Sequence, residues 1–233
     1  SNPMLNHITI SNNIADYGGG MYLRYSDATM SHVTIRENES EESGGGITLY
    51  RSNTILSDIN INQNTSNAVA GIYIIDSNPT VTNMTISLNS SNYTGGVSIY
   101  QSTGTLTNVS VTLNETVNDN FGDEMYIWQS NPIITNSIIW DDNLDPIEVN
   151  GASSEIPIIT YSDIAGGWEG EGNIDSLPLF ADSGSGDYTL QDDSPCIDSG
   201  NPSLWYQDLD GTNNDMGSTG GLFVWPNFIE HDF

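Results

Sequence analysis

The sequence predicts an all-β solenoid of stacked parallel strands, and three observations carry that prediction. The chain repeats itself about every 25 residues, like residues recur at equivalent positions of successive units, and the apolar positions within a unit are spaced for strands. Written in register, the units open at Asn2, Asp27, Asn53, Asn78, Thr103 and, more loosely, Asn131. A unit this short cannot bury its own apolar face, so it must stack on its neighbours to make a continuous interior.

The first run of each unit supplies three ladders. Leu5, Met30, Leu56, Val81, Leu106 and Ile134 form one, Ile8, Val33, Ile59, Met84 and Val109 a second, and Ile10, Ile35, Ile61, Ile86, Val111 and Ile139 a third. A second run adds Met21, Ile47, Ile72, Val97 and Met125, then Leu23, Leu49, Ile74, Ile99 and Ile127 two residues further on. Spacing by two means strands, and equivalent strands of successive coils stack in parallel ~4.8 Å apart. At ~3.3 Å per extended residue, one coil has room for two or three short strands and their corners. The Leu-x-x-Leu-x-Leu signature of a leucine-rich repeat is absent from the chain.

Between the runs stand two further columns. Asn13, Asn38, Asn64, Asn89 and Asn114 close the first run, at a bend where an Asn side chain can bond the corner backbone and the amide of the next Asn. Gly18 to Gly20 and Gly44 to Gly46, thinning to Gly71 and to Gly95-Gly96, mark a corner that calls for positive φ or close backbone approach.

From Asn2 to about Trp140 the sequence resembles secreted bacterial right-handed parallel β-helix repeat proteins, including the Gly-Gly-x-x and Phe-x-x-Asn repeats of polymorphic outer-membrane proteins; here Ile or Val replaces the Phe, as in Ile35-Arg36-Glu37-Asn38. That resemblance implies a right-handed coil, which agrees with the usual hand of parallel crossovers. The expected organisation is therefore residues 1–140 as β-helix coils and 141–233 as final irregular coils and a cap packed on the solenoid. Ser194 to Gly200 and Asp208 to Gly217 resemble the closing region of secreted β-helix proteins. Ser1-Asn2-Pro3 repeats at Ser77-Asn78-Pro79 and Ser130-Asn131-Pro132, so the chain is expected to begin in mid-coil as a piece of something longer.

Charge narrows the function classes. The net charge is −28, with no Lys and with Arg only at positions 24, 36 and 51. Such a surface repels nucleic acid and anionic membranes and tolerates salt or divalent cations that screen its self-repulsion. No apolar run is long enough to span a membrane. These features fit an extracellular or cell-surface setting. Cys196 is the single cysteine and is expected as a small buried hydrophobe.

Two constellations are candidates for binding. Asp208, Asp210 and Asp215 form an Asp-x-Asp-Gly-x-x-x-Asp loop whose hard oxygens suit Ca²⁺. It resembles the calcium loops of EF-hands and their bacterial relatives, but lacks their distal Glu and their glycine spacing. The second is the outward face of the second run, where Tyr22, Arg24, Tyr50, Tyr73, Tyr100, Tyr126 and Trp128 form an aromatic stripe suited to carbohydrate or to a protein partner. The competing expectation is that the C-terminal segment, with Trp205, Phe223, Trp225 and Phe228, folds back to cover it.

The β-helix also hosts polysaccharide lyases and hydrolases, so an enzyme of that kind is the alternative function. A uronate lyase calls for a basic side chain and cations, and only Arg24 and Arg51 lie on the strand face. Adjacent Asp141 and Asp142 would point to opposite sides of a strand, and the Asn-Thr-Asp, Gly-His-Gly and Arg-Ile-Lys motifs of polygalacturonases are absent. His7 and His32 stack in successive coils and could bind a metal or polarise a substrate, but Asp58, Asn83, Asn108 and Asn136 continue the column, which favours a corner role. The expected role is a non-enzymatic structural, adhesive or filament-forming surface element. Its expected partners are other copies stacked head to tail, or earlier coils of a longer parent, and polysaccharide; residues 221–226 are a candidate strand donor.

Overall fold

The computed structural model describes residues 1–117, 122–142, 144–152 and 155–221. Each of the first five coils contributes to three parallel sheets. A long sheet is built from Met4–Ser11, Thr29–Arg36, Ile55–Asn62, Thr80–Ser87 and Thr105–Thr112, then from the paired short strands Ile133–Thr135 with Ile138–Trp140 and Ile158–Thr160 with Asp163–Ile164. A narrow corner sheet contains Ile14–Tyr17, Glu39–Ser43, Thr65–Ser66, Ser90–Ser91 and Glu115–Thr116. The third sheet stacks Met21–Arg24, Ile47–Tyr50, Ile72–Ile75, Val97–Tyr100, Met125–Trp128 and Ile147–Asn150.

The register is the one the ladders predict. Leu5 pairs with Met30, Met30 with Leu56, Leu56 with Val81, Val81 with Leu106 and Leu106 with Ile134. These rungs and their counterparts on the third sheet merge into one continuous core. The first coil is its open end: Leu5, Ile10 and Met21 are half-buried, whereas their partners Met30, Ile35 and Ile47 are fully buried.

Polar ladders hold the corners. Asn38 Nδ2 donates to Asn64 Oδ1 (3.0 Å), Asn64 to Asn89 (2.9 Å) and Asn89 to Asn114 (2.9 Å), while each backbone N–H in the series reaches the same acceptor. Buried Glu124 receives the last Asn amide, and burial raises its pKa well above the usual carboxylate range. A serine ladder runs down the other edge: Ser26, Ser52, Ser77 and Ser102 each donate a backbone N–H to the next hydroxyl, at 2.9–3.0 Å. At the glycine corner the chains nearly touch; a Cβ on Gly46 would lie 2.6 Å from the Gly71 carbonyl oxygen.

The column of His7, His32, Asp58, Asn83, Asn108 and Asn136 is not a corner. It lies inside the long strands, or for Asn136 between the two short strands that replace one, each residue with φ of 53–54°. Pairing passes over it, from Asn6 with Ser31 to Ile8 with Val33. The left-handed residue resets the pleat, so Leu5 and Ile8 both point inward although they stand three apart. Asn, Asp and His are the non-glycine residues that tolerate this conformation best, which explains the column's composition.

Coil pairing also outlasts the recognisable repeat, because the inward positions stay apolar while the connections lengthen. Ile134 pairs with Ile159 and Ile139 with Ile164. Beyond them Asn173 imitates the Asn ladder, accepting from Ser162 N (3.0 Å) and donating to the Ile159 carbonyl (2.9 Å), while Trp168 packs on the core. An antiparallel pair, Phe180–Asp182 with Asp187–Leu190, follows.

The chain then returns along the outer face of the long sheet. Ile138 packs with Cys196 and Met216 in a second, smaller core. Gly217 N donates to the Asn136 carbonyl (2.8 Å) and Asn201 N to Asn136 Oδ1 (2.7 Å). Asn108 Nδ2 reaches Asn214 Oδ1 (2.9 Å) and the carbonyls of Asp215 (3.2 Å) and Gly217 (3.3 Å); Asn83 Nδ2 reaches those of Ser218 (3.3 Å) and Gly220 (2.8 Å). Residues 214–221 thus form a strap that runs back from the sixth coil to the fourth.

Candidate functional site

Strap geometry assembles the acidic site. Asp215 leaves the strap just before Met216, which the second core anchors. Its backbone N–H donates to Asp208 Oδ2 (2.8 Å), and its Oδ1 accepts from Asp198 N (2.8 Å). Carboxylate oxygens of Asp198, Asp208 and Asp215 all lie within 4.8 Å of one another, which matches donors gathered around an ion with Ca–O bonds of ~2.4 Å. Together with Ile197, Leu209, Asp210, Thr212 and Thr219 they line a shallow hollow of about 270 Å³.

Two of the three carboxylates expected from the sequence therefore converge, and the third partner is Asp198. Asp210 lines the same hollow, but its Oδ1 accepts from Thr212 N (3.0 Å) and Thr212 Oγ1 (2.7 Å), closing a turn. Those bonds lower the Asp210 pKa. Burial acts the opposite way on its neighbours: it raises Asp208 and pushes Asp215 to about 6, and repulsion from the surrounding carboxylates adds to both shifts. Half-buried carboxylates held against one another form a site that a hard cation relieves.

The aromatic stripe lies on the outer face of the third sheet. Tyr22 is 46% exposed, Arg24 is exposed, and Tyr50, Tyr73, Tyr100, Tyr126 and Trp128 are half-buried. Tyr100 and Trp128 stack face to face, with centroids 4.2 Å apart and planes 13° apart. Each ring thus covers a face of the other, a consequence of stacking parallel strands in register. At the open end, the Arg24 guanidinium lies over the rings of Tyr25 (5.4 Å) and Tyr50 (5.6 Å), and Arg51 Nε pairs with Asp76 at 3.1 Å. The described part of the C-terminal segment crosses the long sheet and leaves this stripe uncovered. Trp205 is 88% exposed, and Phe223, Trp225, Phe228 and the expected donor segment from Leu222 to Pro226 lie outside the described residues.

Cys196 is buried as expected, with Sγ donating to Asp163 Oδ2 (3.1 Å); burial pushes Asp163 to about 6. Among the described residues no helix is long and apolar enough to cross a membrane.

Residues 5–138 match the family model described as a right handed beta helix region. Comparison with curated proteins and with solved structures returns no match.

Proposed function

We propose that this chain, which belongs to the right-handed β-helix family, is a non-catalytic extracellular β-solenoid that serves as a structural or adhesive surface element and binds calcium at its strap. The observation that carries this reading is the ladder itself: the same rungs recur coil after coil, and the outer face offers shallow hollows and an aromatic stripe. A rigid rod with a long repetitive face suits display and multivalent contact.

Three features support the parts of the proposal. Calcium is supported by the convergence of Asp198, Asp208 and Asp215. Polysaccharide is the favoured ligand of the third sheet, where Tyr22, Tyr73 and Tyr126 alternate along the axis with small, buried Thr48 and Ser98. Extension into longer assemblies is supported by the repeat itself, since coils that pair in register with one another present strand edges that a further coil can pair with.

A panel of neutral and acidic polysaccharides, read for both retention and turnover, tests the reading. Retention weakened by Tyr73→Ala, with no turnover, is expected. Turnover abolished by an Asp or Arg substitution would replace it with the polysaccharide-degrading enzyme.

A further inference from the structure

We propose that His7, His32 and Asp58 form a second metal site, which takes a divalent transition-metal ion of the zinc class rather than calcium. The three residues occupy the left-handed position of successive coils, with φ of 53°, 54° and 54°, so their side chains leave the long sheet side by side. The imidazoles of His7 and His32 lie parallel, with centroids 4.6 Å apart and planes 3° apart. His32 Nε2 lies 3.8 Å from Asp58 Oδ2.

The donor set selects the ion. Two imidazole nitrogens and one carboxylate oxygen suit zinc, cobalt, nickel or copper, whereas calcium takes oxygens alone. Around a tetrahedral ion with bonds of ~2.1 Å, neighbouring donors stand ~3.4 Å apart. His32 and Asp58 are already within a few tenths of an ångström of that separation. The His7 ring stands flat on His32 rather than turned towards Asp58, so ion binding requires it to rotate about its own side-chain torsions and open the stack, while the ladders on either side hold the backbone of all three residues. Arg36 is the cation closest along the strand, and it faces Glu37 at 3.6 Å.

The same column shows why the site is confined to the first three coils. On the next three its members are Asn83, Asn108 and Asn136, and the side chains of the first two donate to strap carbonyls. An amide is a good clamp for backbone and a poor ligand for a transition metal. Below the strap the column changes to residues with metal-binding lone pairs.

Tag-free full-length chain, saturated with calcium to occupy the acidic set, is titrated with Zn²⁺ by calorimetry, and the imidazole nitrogens are followed by NMR. One zinc ion per chain and shifted ring resonances of His7 and His32 are expected, with affinity reduced at least roughly tenfold by His32→Ala. His7→Ala, at the open first coil, gives the same loss if His32→Ala fails to fold. His231→Ala, which removes the remaining histidine of the chain, should leave binding unchanged. Zinc that leaves both rings unshifted, or binds His32→Ala as it binds the parent, or is lost in His231→Ala, overturns the site.

Discussion

The first three coils and the next three share one long sheet and one inward face and differ, among the described residues, in what lies against that sheet. Both halves carry the same inward rungs, the same Asn ladder and the same left-handed kink. Among the described residues, the C-terminal segment crosses only the second half, through Asn83, Asn108 and Asn136. The repeat therefore specifies the coil, and a segment used once specifies where the rod is reinforced. A net hydrogen bond contributes only about 1 kcal/mol, so the strap has to act through many bonds and the small Ile138, Cys196 and Met216 core together.

The largest effect is expected from Ile61→Asp. Ile61 is fully buried on the third coil, and an unpaired charge there should cost more than about 4 kcal/mol. Hydrogen exchange should show coils one to three losing protection while the strapped coils keep it. Uniform loss across all six coils would mean that the halves are not separable.

Calcium should sharpen the contrast from the other side. At an ion concentration ~100 times its Kd, mass action adds about 2.7 kcal/mol, and it should appear in the unfolding of the strapped half. Asp215→Asn should remove that increment, and Asp210→Ala should leave most of it. Equal losses would make Asp210 a ligand. Without calcium, pH acts on the same carboxylate. Asp215 titrates at about 6 when folded, above the ~3.9 of an unfolded Asp, so its contribution is complete below about pH 4 and is lost as pH rises through 6. The calcium-free strap should accordingly be more stable at pH 4.5 than at pH 7, and calcium at pH 7 should restore it. Strap exchange rates that ignore both variables would remove the ion from the site.

A smaller effect is expected from Asn108→Ala, which deletes three bonds to the strap and should cost about 1–3 kcal/mol. Exchange should quicken at residues 214–220 and stay unchanged in the first coil. Smallest of all is Thr9→Ser, an exposed outward position of the first coil, where a change within about 0.5 kcal/mol of the parent melting free energy is expected. A loss like that of Ile61→Asp would mean that inward and outward faces are exchanged.

What was legible in the sequence is what repeats. Each inward rung could be read because the same requirement recurs in every coil, and the Asn ladder because its role demands one side chain. The Leu5 to Ile8 step of three was visible and passed for plain alternation; it is the trace of the kink at His7. Two other left-handed columns were hidden by variety, since Tyr25, Arg51, Asp76, Gln101 and Gln129 share one conformation, and Asn12, Glu37, Gln63, Leu88 and Leu113 another. The strap was illegible because its hydrogen-bond partners on the coils lie 81 to 137 residues away and occur once. Asp198 was missed for the same reason: it joins Asp208 and Asp215 through the return path of the chain rather than through loop spacing.

The strap changes how such a rod comes apart. A stack bound only by nearest neighbours frays from an end, one unit at a time, and its unfolding behaves like the melting of a one-dimensional chain. Tying the sixth unit to the fourth adds a coupling that skips a unit, so these three must unzip together or not at all. Under a pulling force, the open end should therefore peel in single steps of about one coil, and the far half should resist and then release its length in one larger step.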